Sequence, residues 1–106
     1  MTVLPLTNVR GDTLMLDVTC TGITVASMYF SCKRTYKDTE YVFQKSLEDG
    51  ITLQSGSTYR VRIAPEDTAA LPAGKYVYDF QLGVGDDIYT PFGGTLKITE
   101  DVTENE

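Results

Sequence analysis

Apolar residues recur at every second position along this chain, and no stretch repeats them at the three-to-four spacing of a helix. In Thr13–Cys20 the residues Leu14, Leu16, Val18 and Cys20 share a face. In Ala26–Lys33 the shared face is Met28, Phe30 and Cys32. Tyr59–Ile63 places Tyr59, Val61 and Ile63 together, and Tyr76–Leu82 does the same with Tyr76, Tyr78, Phe80 and Leu82. Tyr41–Gln44 and Thr95–Ile98 read as shorter strands, with Val3–Leu4 and Ile51–Leu53 as further candidates. Glycine-containing turns at Arg10–Asp12, Thr21–Gly22, Glu48–Gly50, Ser55–Ser57 and Gly85–Asp87 separate these runs. Short strands spaced in this way predict a sandwich or barrel. The one helical piece is Pro65–Leu71, opened by Pro65 and closed by Pro72, and it predicts a single turn crossing between sheets.

Composition strengthens that reading. Thr, Val and Ile make up 29 of the 106 residues, and seven Tyr and four Phe add to the strand-favouring set. The expected architecture is all-β: an immunoglobulin-like β-sandwich of about seven antiparallel strands with one short helical turn, spanning residues 1–99, followed by an acidic flexible tail, 100–106. The chain has no histidine. Histidine-dependent nucleophilic designs are therefore excluded, and the commonest metal ligand is missing. Net charge is −6, but Glu100, Asp101, Glu104 and Glu106 supply much of it. The body is near neutral and has no basic stripe for phosphates, so nucleic acid is not an expected partner. No apolar window is long enough for a spanning helix, and no basic segment followed by an apolar run opens the chain, so neither a membrane nor a signal peptide is expected. No cofactor or metal is expected.

Several residues invite closer reading. Cys20 and Cys32 both face inward. A hairpin looping near Gly22–Val25 would set Cys20 opposite Ala26 and Cys32 opposite Leu14, too far apart for a disulfide, leaving two buried free thiols. Tyr76, just after the helical turn and at the start of a long strand, fits a tyrosine corner, in which the hydroxyl bonds to upstream backbone. Thr90-Pro91-Phe92-Gly93-Gly94 predicts a bulge or kink on an edge strand. The buried Trp of antibody domains is absent, and Asp79 and Phe80 stand where their second core Cys would be sought. Asp86-Asp87 reads as a hairpin turn rather than a calcium site, and Arg10-Gly11-Asp12 as ordinary turn chemistry. Lys33, Arg34 and Lys37 form a small basic cluster, and Arg60 and Arg62 point outward together. With Tyr29, Tyr36, Tyr41 and Tyr89, the residues Lys33, Arg34, Arg60 and Arg62 are candidate partner contacts, dispersed along the sequence.

One longer pattern is more distinctive: Val61-x-Ile63-x-x-Glu66-Asp67-Thr68-x-x-Leu71-x-x-Gly74-x-Tyr76-x-Tyr78-Asp79, then Gly94-Thr95-Leu96-x-Ile98 and Asp101-Val102-Thr103. Over about residues 8–103 the chain resembles the immunoglobulin-like domain at the N-terminus of the upper baseplate protein of phages of Gram-positive bacteria. The resemblance implies a non-enzymatic structural module of a phage or prophage particle (baseplate, tail or head-associated). Such a module works by protein–protein contacts within the virion and is made in the bacterial cytoplasm, with self-association as a further expectation. That family's protein is longer, and it offers no catalytic residues to transfer. An adhesive or carbohydrate-binding β-sandwich using Tyr36, Tyr41 or Tyr89 is the alternative.

Overall fold

The alternating segments pair into two layers closed over one core. The computed structural model describes residues 2–102. Nine strands and one short helix follow in order: β1 (Thr2–Val3), β2 (Leu6–Val9), β3 (Leu14–Thr19), β4 (Ser27–Lys33), β5 (Phe43–Leu47), β6 (Gly50–Ser55), β7 (Thr58–Ile63), α1 (Pro65–Thr68), β8 (Gly74–Val84) and β9 (Asp87–Thr99). The first layer is ordered β1/β2–β9–β8–β4–β5, and the second β6–β7–β3. A short parallel contact, Ser46 with Gly50 and Leu47 with Ile51, carries the order round the corner from β5 to β6. This is the two-sheet arrangement of the immunoglobulin-like fold, in which chain neighbours β3 and β4 lie in different layers.

That placement corrects the hairpin expected across Gly22–Val25. β3 pairs with β7, and β4 with β8 and β5. Alternation looks the same whether the next strand lies beside its predecessor or opposite it, because both present apolar residues to one core. Cys20 and Cys32 are nonetheless free and buried. Strand number and direction also differ from expectation. β1 and β2 run parallel to β9 and cover it, so the strand carrying Pro91 is not an edge. The strand expected at Tyr41–Gln44 starts at Phe43, and Thr95–Ile98 is the end of a 13-residue strand. The bulge does occur: Phe80 faces Phe92 and Leu82 faces Tyr89, which leaves Thr90 and Pro91 opposite Gln81 alone. Pro91 has no N–H, and a bulge is where a ladder tolerates that loss.

The core is built from the inward positions. Met28, Phe30 and Cys32 of β4, Val61 and Ile63 of β7, and Tyr76, Tyr78, Phe80 and Leu82 of β8 are buried, with Ile51, Leu96 and Ile98 around them. Rings form a chain through it. Phe43 stacks on Phe30 (6.1 Å), Phe30 on Tyr78 (5.0 Å), Tyr78 meets Phe92 edge-on (6.3 Å), and Phe92 stacks on Phe80 (5.0 Å).

Tyr76 Oη donates to Pro72 O at 2.7 Å, from a ring 1% exposed. This is tyrosine-corner geometry. In antibody domains the second core Cys lies two residues beyond the corner tyrosine. Here that position is Tyr78, not Asp79 or Phe80. Tyr78 fills it with a ring stacked on Phe30, and its hydroxyl donates to Leu4 O, fastening the link between β1 and β2.

Polar contacts tie the crossover to both layers. The Ala64 N–H donates to Asp67 Oδ2 (2.7 Å), and Lys45 Nζ of β5 bonds to the same oxygen at 2.7 Å. The Gly11 N–H donates to the buried Thr68 Oγ1 at 2.8 Å, so the Arg10-Gly11-Asp12 turn is packed onto α1. Arg10 in turn donates to Asp101 Oδ1 through Nη2 (3.0 Å) and Nε (3.1 Å). Fixed contacts thus run into the segment expected to be a loose tail from residue 100. Residues 103–106 of that segment lie outside the described residues.

Candidate interaction face

Outward positions of β4, β5 and β8 form the most developed surface feature. The pleat that sends Met28, Phe30 and Cys32 inward sends Tyr29, Ser31 and Lys33 outward. On β8 the outward set is Val77, Asp79 and Gln81. Antiparallel register then sets Tyr29 beside Gln81, Ser31 beside Asp79 and Lys33 beside Val77, while Gln44 of β5 flanks Ser31 on its other side. Tyr36 and Tyr41, from the β4–β5 connection, stand at the rim. Together these residues enclose an open depression of about 270 Å³.

Its chemistry suits recognition. Gln44 Nε2 donates to Ser31 Oγ at 2.9 Å, and Lys33 Nζ sits 5.3 Å from the centre of the Tyr41 ring. Tyr36 and Tyr41 are 74% and 49% exposed, so their faces are available to a partner. One cation and one carboxylate line the depression with amides, hydroxyls and rings between them. It therefore offers hydrogen bonds and apolar contact without a strong net field.

The candidate contacts do not all meet there. Tyr29, Lys33, Tyr36 and Tyr41 converge, although they are scattered in sequence. Arg34 turns the other way: Nη1 donates to Tyr76 Oη at 3.4 Å, with the guanidinium 5.6 Å from that ring's centre. Arg60 lies on the second layer and is occupied by Asp17, Nε to Oδ1 at 2.8 Å and Nη2 to Oδ2 at 3.3 Å. Those hydrogen bonds lower the Asp17 carboxyl below its ordinary pKa. Arg62 is exposed on the same strand, and Tyr89 stands outward on β9 by the β8–β9 hairpin. Ser31, Gln44, Val77, Asp79 and Gln81 were not among the sequence candidates. The outward half of the same period-two pattern marks four of them; only the register shows that they adjoin.

Reactive groups lie elsewhere and are held neutral. Burial pushes the Cys32 thiol up to about 12 and raises that of Cys20 as well. Burial likewise takes the Tyr78 hydroxyl up to about 12. Among the described residues no three His, Cys, Asp or Glu side chains gather to hold a metal ion. No helix there is long and apolar enough to cross a membrane. Asp86 sits in the β8–β9 turn and Asp87 opens β9, while Asp79 lies up the sheet on the outer face.

The fold and this face define an immunoglobulin-like β-sandwich with a tyrosine-rimmed outer sheet. No family model matches the sequence, and no curated protein matches it significantly. Among solved structures the chain is similar to an extracellular domain of the voltage-gated sodium channel beta4 subunit, described as forming parallel homodimers that explain its role in cell–cell adhesion. The TM-score is 0.43 at 12% identity, over 96% of this chain and 95% of that one.

Proposed function

We propose that the chain is a non-enzymatic interaction module of a phage or prophage particle, docking on a protein partner through the outer face of β4, β5 and β8. The observation that carries the docking reading is the convergence of Tyr29, Tyr36 and Tyr41 with Lys33, Asp79, Gln44 and Gln81 on one sheet face. Rigid tyrosines with amides between them give contact area at small entropic cost, and few other side chains are as useful at protein interfaces. The particle assignment rests on the resemblance of the Val61–Asp79 and Gly94–Thr103 pattern to phage baseplate domains. In this reading the protein is made in the bacterial cytoplasm and incorporated into the virion.

The test is affinity capture against the head, tail and baseplate proteins encoded beside this gene. A structural partner should be retained by the wild type. Its retention should fall roughly tenfold or more with Tyr36→Ala plus Tyr41→Ala, the loss of one good aromatic anchor. Retention of no particle protein would remove the virion role. Retention unchanged by the double substitution would remove this face.

A second reading is a saccharide stacked on Tyr36 or Tyr41 and hydrogen-bonded by Asp79, Gln81 and Gln44. Binding on a glycan array that is lost with Asp79→Ala would favour it over a protein partner.

A further inference from the structure

β3 is the outer strand of the second layer, and its free side has a definite chemistry. Among the described residues it pairs with β7 alone, over six unbroken positions from Leu14–Ile63 to Thr19–Thr58. The Cys20 N–H donates to Ser57 O at 2.8 Å in that register, and the hydroxyls of Thr19 and Thr58 are 3.0 Å apart. Antiparallel residues turn their main-chain groups alternately toward and away from a neighbour. Leu14, Leu16 and Val18 therefore turn theirs to β7. Met15, Asp17 and Thr19 present theirs to the outside, unpaired.

Edges of this kind are ordinarily blunted by lysine, proline, a bulge or shortness. The opposite margin of the fold has such devices: β1 has two residues, β2 has four, and Pro5 stands between them. β3, with the sequence Leu-Met-Leu-Asp-Val-Thr, has only the charge of Asp17, which Arg60 of β7 neutralises. Its core-facing residues also lack cover. Leu14, Leu16 and Val18 are only half-buried, whereas Val61 and Ile63 on the adjacent strand are 0% exposed. A strand that completed this layer would need alternating apolar residues on its inward side.

We propose that the occupant is a second copy of this chain, joined by antiparallel β3–β3 pairing about a twofold axis through Leu16. β3 meets its own requirement, since Leu14 then faces the partner's Val18, Leu16 faces Leu16, and both apolar sets point to their cores. Only registers that keep the faces matched are allowed. The register centred one position further on would oppose Asp17 to its own copy, a like-charge pair. Centred on Leu16, Asp17 meets Met15 instead. The outer row across the junction then reads Arg60, Asp17, Met15, Arg62, with no like charges adjacent. Met15 and Asp17 exchange the free main-chain hydrogen bonds. The result is an isologous six-stranded layer.

The test is the solution mass of the full chain by light scattering or sedimentation over a dilution series. The wild type should reach twice the chain mass, and Met15→Pro should return it to one. That substitution deletes an N–H facing away from β7, so circular dichroism should be unchanged. Should Met15→Pro not fold, Met15→Glu sets a carboxylate opposite the partner's Asp17 and supplies the disruption by like charge. Leu16→Cys sits on the axis in a non-hydrogen-bonded pair, where Cα atoms are about 4.5 Å apart and within disulfide reach. It should therefore give a dimer on non-reducing gels, while Tyr36→Ala plus Tyr41→Ala leaves the mass unaltered. A wild type of single-chain mass at every concentration would overturn the proposal, as would a dimer insensitive to Met15→Pro or Met15→Glu. Failure of Leu16→Cys to cross-link a dimeric sample would overturn the register.

Discussion

Tyr76 combines two roles that a single substitution separates from the rest of the core. Its ring is buried, while its hydroxyl both donates to Pro72 O and accepts from Arg34. Tyr76→Phe keeps the ring and removes the bonds. The fold should lose about 1–2 kcal/mol, the net value of a buried hydrogen bond with an acceptor left unpaired. Urea titration measures it, and a change below about 0.5 kcal/mol would mean that the corner does not pin the crossover. A second residue-scale effect is set by pH. Cys32, at about 12 against an ordinary 9.0, and Tyr78, at about 12 against 10.0, are neutral groups that the fold protects from ionising. A raised pKa for an acid means that the folded state holds the proton more tightly than the unfolded one. The stability they contribute is present in full below pH 9.0 and is lost as pH rises toward 12. The thermal midpoint should thus fall across that window, and Cys32→Ala should flatten the first part of the fall. A flat profile in the wild type would place those groups nearer water.

At the scale of elements, glycine position explains more than strand propensity does. Gly93 and Gly94 lie inside a 13-residue strand that composition alone would shorten. A Cβ on Gly93 would approach Tyr78 O to 2.9 Å, and one on Gly94 would lie 3.3 Å from Leu4 O at a φ of 150°. The pair lets β1, β8 and β9 come together where the Tyr78 hydroxyl reaches Leu4. Gly93→Ala should cost about 1–3 kcal/mol, as overpacking against backbone does, and calorimetry would read it as a lowered melting temperature. Legibility ended at this same scale. The inward faces of β3, β4, β7 and β8 were readable because period two needs only the chain itself. The partnership of β3 was not, because sequence neighbours pair more often than not, and the crossing of Gly22–Val25 between layers leaves alternation unchanged. Likewise β1 and β2 are too short to show a period, and their place is set by β9.

At the scale of the whole molecule, the candidate face was half visible. Tyr29, Lys33, Tyr36 and Tyr41 stood out by type. Asp79, Gln44 and Gln81 did not, because a polar residue on an outward strand position is ordinary until register supplies its neighbours. The same geometry governs how a partner should respond to salt. Net charge is −6, yet the charges lining the depression are Lys33 and Asp79, one of each sign. Screening acts over about 10 Å at moderate ionic strength, so a partner seated here senses first the nearly balanced pair of Lys33 and Asp79. Rim charges tune association when they carry one sign. Affinity for a partner bound at this face should therefore change by less than about threefold between low and high salt. Isothermal titration at two salt concentrations measures that change. A tenfold weakening would assign the contact to charges outside the depression, with the C-terminal acids the first to neutralise in the next variants.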